Sequence, residues 1–120
     1  AFANNDRECV IEDVRAVKEA VGDKTLKCII ESPALSSDEI RTAAALVEEG
    51  GADFVKTAVG YAGSCNVDEV RAMREAVGPD VGVKASGGIH TFEEVLQMVE
   101  VGATRIGASA GVEIMKSIRA

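Results

Sequence analysis

The sequence predicts an α/β fold in which helices alternate with parallel strands, as (β/α) barrels are built. Three observations predict it. Strand-forming runs and amphipathic helical runs alternate along the 120 residues, and alternation of this kind belongs to α/β folds. The connections are short, which requires parallel strands and right-handed crossovers. The chain also repeats itself. The segment Asp13–Gly22, DVRAVKEAVG, matches Glu69–Gly78, EVRAMREAVG, at seven of ten positions. Gly51-Ala52-Asp53 is likewise answered by Gly102-Ala103-Thr104. Each copy stands ahead of a strand, so the repeated unit is βαβα.

The elements follow in order over a single domain, residues 1–120. Asn5 or Asp6 caps a first helix over about 6–21, whose apolar stripe is Val10, Ile11, Val14, Val17 and Val21. Gly22 stops it. A strand follows at about 25–31, then a loop from Ser32 to Ser37 broken by Pro33. Ser36 or Ser37 caps the second helix, with Asp38 and Glu39 placed well in its first turn. That helix carries Ile40, Ala43, Ala44 and Val47 and ends at Gly50-Gly51. The second strand spans about 53–59. Asn66 caps the next helix, Val67 to Val77, and Gly78-Pro79-Asp80 turns the chain into a third strand at about 81–86. Thr91 caps the helix from Phe92 to Val101, a short fourth strand covers about 104–108, and a last helix runs from Gly111 to Ile118.

Composition narrows the function. Apolar residues make up 47% of the chain, enough for a core. No apolar run approaches membrane-spanning length, and no signal-peptide pattern opens the chain. A net charge of −7 argues against nucleic acid, so an anionic ligand needs a local cluster of donors. Cys9, Cys28 and Cys65 are scattered, and a single His90 cannot anchor a usual zinc set. Reduced thiols and a cytoplasmic setting are the default, with no metal or other cofactor expected.

The chemistry is expected at the carboxyl ends of the strands. Lys56 sits inside Phe54-Val-Lys-Thr-Ala-Val-Gly60, a run with apolar or small neighbours on both sides. A lysine there points into a covered layer and is costly unless something uses it. On this strand alone the plainer reading is an ammonium that snorkels to water. Lys84 occupies the equivalent place on the third strand, where the plainer alternatives are again snorkelling or pairing with Glu31. Gly87-Gly88 and Gly107-Ala-Ser-Ala-Gly111 each follow a strand and lead into a helix N-terminus. Such turns present backbone N–H groups to an anion, commonly a phosphate. Each turn alone is weak evidence; two beside two strand lysines are specific.

A paired lysine has a chemical use. Only the neutral amine attacks a carbonyl, and at pH 7 roughly one free lysine in a thousand or fewer is neutral. Bringing the pKa from about 10.4 to about 7 takes roughly 4–5 kcal/mol. A second lysine on an adjacent strand and an apolar floor can supply much of that difference, and Lys27 can add to the field.

These segments resemble the deoxyribose-phosphate aldolase family, class I Schiff-base aldolases on a (β/α)8 barrel. VKTAVG, residues 55–60, is similar to the family's Schiff-base strand; VKASGGIHT, residues 83–91, to the next strand; RIGASAGV, residues 105–112, to the last strand and its phosphate loop. The resemblance implies that Lys56 forms the imine and Lys84 lowers its pKa. It implies that Gly60, Gly87, Gly88, Gly107 and Ser109 hold the substrate phosphate. The implied reaction cleaves 2-deoxy-D-ribose 5-phosphate to acetaldehyde and D-glyceraldehyde 3-phosphate. The family usually has hydroxyl residues where Ala58 and Val59 stand, arginine where His90 stands, and often a second serine at Ala110.

The resemblance covers almost the whole chain but only the C-terminal half of the barrel. The first four strands, including one that carries a proton-relay aspartate, have no counterpart here. Four strands cannot close a barrel, which leaves one sheet face and two edges open. The chain is then expected to be a fragment, a half-barrel, or one protomer of a homodimer or higher homo-oligomer, with a small phosphorylated aldehyde or sugar as its ligand. The alternative is a non-catalytic, self-assembling half-barrel with residual phosphate binding.

Overall fold

The computed structural model describes residues 7–58, 66–108 and 111–119. Helices α1 (Arg7–Val21), α2 (Ser37–Glu49), α3 (Val67–Ala76), α4 (Phe92–Glu100) and α5 (Gly111–Arg119) alternate with strands β1 (Lys27–Ile29), β2 (Phe54–Lys56), β3 (Gly82–Ser86) and β4 (Arg105–Gly107). The strands form one sheet in the order β1-β2-β3-β4, and every neighbouring pair is parallel. This is the alternation expected from sequence.

The strands are shorter than the apolar runs, for a local reason at β1. Glu31 takes a left-handed backbone (φ 52°), which turns the chain into a single 3-10 turn over Ser32–Ala34. Hydrogen bonds nonetheless run on past the strand ends. Ile30 N–H reaches Lys56 C=O, Ser32 N–H reaches Thr57 C=O, and Thr57 N–H reaches Lys84 C=O. The carboxyl ends of β1, β2 and β3 are thereby held level.

Three helix starts follow the capping residues read from sequence. Ser36 accepts from Glu39 N–H at 3.2 Å while the Glu39 carboxylate accepts from Ser36 N–H at 2.9 Å. Asn66 and Glu69 form the same reciprocal box at α3, and Thr91 accepts from Glu94 N–H at α4. Such caps satisfy N–H groups that the helix leaves without partners. The expected caps of α1, Asn5 and Asp6, lie outside the described residues.

The core sits on one face of the sheet only. Val55, Val83 and Ala85 are fully buried beneath Ile40, Ala44 and Val47 of α2, Val70 and Met73 of α3, and Met98 of α4. Alternation along the strands puts Lys27, Ile29, Phe54, Lys56, Gly82, Lys84, Arg105 and Gly107 on the opposite face. Ile29 on that face is 47% exposed. An apolar groove lined by Val10, Val14, Cys28, Ile30 and Val47 runs beside the free edge of β1. Among the described residues, no helix is long and apolar enough to cross a membrane.

The sequence repeat is a structural repeat with a shared clasp. Lys18 of α1 donates to Lys24 C=O (3.0 Å) and Asp53 Oδ2 (2.8 Å), and Asp53 Oδ2 also accepts from Leu26 N–H at 2.8 Å. Arg74 of α3, its counterpart, donates to the carbonyls of Gly78 (2.6 Å) and Val81 (2.7 Å). Thr104 Oγ1 accepts from Val83 N–H at 3.0 Å, as Asp53 does from Leu26. In each half, a basic residue from the helix ties down the loop that enters the next strand. The hydrogen bond from Lys18, with that from Leu26 N–H, holds the Asp53 carboxyl below its ordinary range.

Candidate active site

The site is built on the open face, from the ladder upward. Lys56 of β2 and Lys84 of β3 are direct partners in register. Ile29 of β1 flanks Lys56 and Arg105 of β4 flanks Lys84, so one row across the sheet reads Ile29, Lys56, Lys84, Arg105. Adjacent parallel strands lie about 4.8 Å apart, so the two lysines emerge side by side.

The row below forms the floor. Gly82 has no side chain, and the Phe54 ring lies over it; a Cβ at residue 82 would fall 2.3 Å from Phe54 Cε2. The Arg105 guanidinium covers that ring, with Cζ 4.3 Å from its centroid. Above the row, the Lys84 side chain runs over Gly107, where an added Cβ would come within 3.2 Å of Lys84 Cε. Glycine at 82 and 107 therefore makes room for Phe54 and Lys84 respectively.

A buried clasp joins the two lysine strands just past the amines. Thr57 Oγ1 donates to Ser86 C=O at 2.8 Å and accepts from Ser86 N–H at 3.0 Å. Ser86 Oγ donates to Ala58 C=O. Thr57 is fully buried, so its hydroxyl replaces backbone bonds that water cannot reach.

The electrostatics follow from this packing. Burial, then the neighbouring charges of Lys56, Lys27 and Arg105, push the Lys84 ammonium below the usual lysine range. On a chain of net charge −7, Lys27, Lys56, Lys84 and Arg105 share one sheet face. That face is cationic against the sign of the whole molecule.

The expected phosphate turns are placed in part. Gly87 and Gly88 follow β3 with φ of 98° and 75°, values that residues with a Cβ rarely adopt. They lead to the capped start of α4. Gly107 ends β4 in register with Ser86. Gly87, Gly88 and Gly107 therefore lie at the carboxyl edge, near the lysine pair. Gly60 and Ser109, with Val59 and Ala110, fall outside the described residues. Ala58 is buried and His90 is exposed two residues past Gly88.

The model of the DeoC/LacD family aldolases matches residues 2–118. The chain belongs to that family. Among the family's curated members, the deoxyribose-phosphate aldolase of Streptococcus equi subsp. zooepidemicus is 53% identical over 112 residues, covering 92% of this chain and 51% of the relative. Deoxyribose-phosphate aldolase 1 of Bacillus licheniformis is 51% identical over 122 residues, covering 100% of this chain and 55% of the relative. Of the solved structures, the tetrameric deoxyribose phosphate aldolase of Aeropyrum pernix superposes with a TM-score of 0.85 at 28% identity, covering 95% of this chain and 50% of that one. QR15, an aldolase, superposes with a TM-score of 0.92 at 35% identity, covering 99% and 54%. The chain spans about half the length of the curated relatives it matches. Its fold is accordingly half of this family's barrel.

Four members of the site were not picked out by sequence reasoning: Arg105, Phe54, Thr57 and Ser86. One signal for the first two was available. A glycine inside a strand, Gly82, marks a close approach by another group.

Proposed function

We propose that this chain is the Schiff-base half of a deoxyribose-phosphate aldolase. The observation that supports it best is the register pairing of Lys56 with Lys84 on a cationic, one-sided sheet, in a chain about 50% identical to enzymes of that name.

In this reading the neutral Lys56 amine adds to the aldehyde carbon of open-chain 2-deoxy-D-ribose 5-phosphate and water leaves, giving an iminium. The iminium draws the electron pair of the C2–C3 bond as the C3 hydroxyl gives up its proton. D-Glyceraldehyde 3-phosphate departs, and an enamine of acetaldehyde stays on Lys56. Protonation of its terminal carbon and hydrolysis of the resulting imine release acetaldehyde and restore the amine. Lys84 has one use here: its loosely held proton is available beside the Lys56 nitrogen. Protons also pass through water or a group from a partner segment. The turns containing Gly60, Gly87, Gly88, Gly107 and Ser109 would hold the phosphate with backbone N–H groups. The expected setting is cytoplasmic.

The test is covalent. Incubation with acetaldehyde and borohydride, followed by peptide mapping, is expected to place one ethyl group on Lys56. Label found mainly on Lys18, Lys24 or Lys116 would sink the assignment.

A second reading, self-association, is favoured by the repeat. Asp53 and Thr104 play one role, and Leu26 and Val83 another, so β1 matches β3 and β2 matches β4. The β2–β3 junction then prescribes how β4 meets β1 of a second copy. Lys56 opposite Lys84 becomes Gly107 opposite Lys27 of the second copy, and Val55 opposite Val83 becomes Ile106 opposite its Leu26. Two such junctions give eight strands, a number that fills a barrel with side chains.

A further inference from the structure

The two strands that carry the lysines stop pairing through their backbones at the residue after Lys56. Up to that point β2 and β3 form a regular parallel ladder with Lys56 opposite Lys84, and Thr57 N–H donates to Lys84 C=O at 3.0 Å. A regular ladder would continue with Ser86 N–H donating to Thr57 C=O, and Ser32 N–H donating to Ala58 C=O. The two carbonyls have instead exchanged sides. Thr57 C=O accepts from Ser32 N–H on the β1 side at 2.8 Å, and Ala58 C=O accepts from the Ser86 hydroxyl on the β3 side. Ser86 N–H, deprived of that carbonyl, donates to Thr57 Oγ1 at 3.0 Å, and Thr57 Oγ1 donates in turn to Ser86 C=O at 2.8 Å. Two hydroxyls thus stand in for the missing rungs. Thr57 and Ala58 are fully buried and Ser86 nearly so, so water cannot take over either bond.

We propose that Thr57, with Ser86 as its second tie, is a positioning residue that fixes the Lys56 and Lys84 side chains relative to one another. The exchange of carbonyls lets β2 leave the sheet immediately after Lys56, where β2 ends. The chain beyond Lys56 is then joined to β3 by Thr57 N–H and by the two hydroxyls. The Thr57 hydroxyl binds both backbone groups of Ser86, two residues past Lys84, so it anchors β3 as well as β2. The two lysines therefore rise from roots held on both strands. Proton transfer between neighbouring groups needs such fixed geometry, because a small displacement at the root is carried out to the amine. Thr57 acts through the two lysines and not on the substrate. The inference rests on the aldolase reading for its purpose but not for its measurement.

Thr57→Val keeps the shape of the side chain and removes its hydroxyl. A short bifunctional aryl fluoride reads the geometry. After digestion, the yield of the Lys56–Lys84 bridge is compared with that of the Lys18–Lys24 bridge, a pair already close because Lys18 Nζ donates to Lys24 C=O. In Thr57→Val this ratio is expected to fall about fivefold or more. Labelling of Lys56 by acetaldehyde and borohydride is expected to slow by about tenfold to a hundredfold. Thr57→Ser keeps the hydroxyl and should restore most of both. Val70→Ala, which hollows the fully buried core under α3 and lowers the urea midpoint, should leave both at wild-type values. An unchanged ratio in folded Thr57→Val overturns the proposal. So does a fall that Val70→Ala shares, which reports lost stability, and so does a lost ratio with an unchanged labelling rate. Should Thr57→Val not fold, Ser86→Ala, which frees only Ala58 C=O, takes its place: a ratio lowered about twofold or more supports the proposal and an unchanged one overturns it. If wild-type Lys56 takes no label while the ratio still answers to Thr57, the aldolase reading fails and the positioning of the pair stands.

Discussion

At the scale of single residues, the site is made by what two glycines leave out. Gly82 gives its space to the Phe54 ring and Gly107 gives its space to Lys84. Gly82→Ala would set a Cβ 2.3 Å from Phe54 Cε2, so the ring has to leave the sheet and Arg105 loses its platform. Overpacking of this kind costs about 1–3 kcal/mol. Urea unfolding should show that loss as a lower midpoint with an unchanged slope. An unchanged midpoint would mean that the ring is not seated on Gly82. The two lysines were legible in the sequence because a lysine inside an apolar strand run stands out. Arg105 was not, because its meaning depends on a register three strands wide. No spacing within RIGASAGV reveals that its side chain crosses β3 to reach Phe54.

At the scale of elements, polar caps and clasps decide where strands and helices end. The caps Ser36, Asn66 and Thr91 were readable, since a polar residue before an apolar run has a local meaning. The repeat was readable too. The clasp it encodes was not, because Lys18 and Arg74 look like ordinary helix-surface cations until the following strand is folded against them. Thr57 was read only as a strand former, and its buried bonds to Ser86 follow from tertiary pairing. The cap of α3 has a cost that can be measured. Glu69 is only 8% exposed, and burial pushes its carboxyl above the usual range while the hydrogen bond from Asn66 N–H pulls the other way. A raised acid means that the folded state binds more protons than the unfolded chain between the two pKa values. Its contribution to stability is therefore fully present below the unfolded value and falls as pH rises through the folded one. Glu69→Gln keeps an acceptor for Asn66 N–H without the charge. Its thermal midpoint is expected to match or exceed wild type at pH 7, with any advantage gone by about pH 4. Glu69→Ala should be less stable by roughly 1 kcal/mol at both. A Glu69→Gln protein that melts well below wild type at pH 7 would show the buried charge to be stabilising.

At the scale of the whole molecule, the question is what covers the cationic face and the free edges of β1 and β4. Ile29 and Val17 are each 47% exposed on the β1 side, and an apolar groove lies along that edge. In the relatives, whose chains are about twice as long, the remaining half is available to cover such surfaces. For the 120-residue chain, the repeat makes a second copy the natural substitute, since the β2–β3 junction can be reproduced between β4 and β1 of another molecule. Sedimentation at micromolar concentration is expected to show a dimer or larger species. A monodisperse monomer of 12.5 kDa with a cooperative melt would refute the association. The register can be checked separately. With Cys9, Cys28 and Cys65 replaced by serine, cysteines introduced at Ile106 and Leu26 should cross-link between copies on mild oxidation, because the repeat sets those residues opposite one another. A pair displaced by one residue, Ile106 with Lys27, points to opposite faces of the closed sheet and should cross-link poorly. Closure also has an electrostatic cost, since it would put two sets of Lys27, Lys56, Lys84 and Arg105 inside one barrel. Added phosphate or sulfate should offset that repulsion, so the dimer fraction is expected to rise with either anion more than with chloride at equal ionic strength. Equal responses to all three salts would mean that screening alone acts and that the interior holds no anion site.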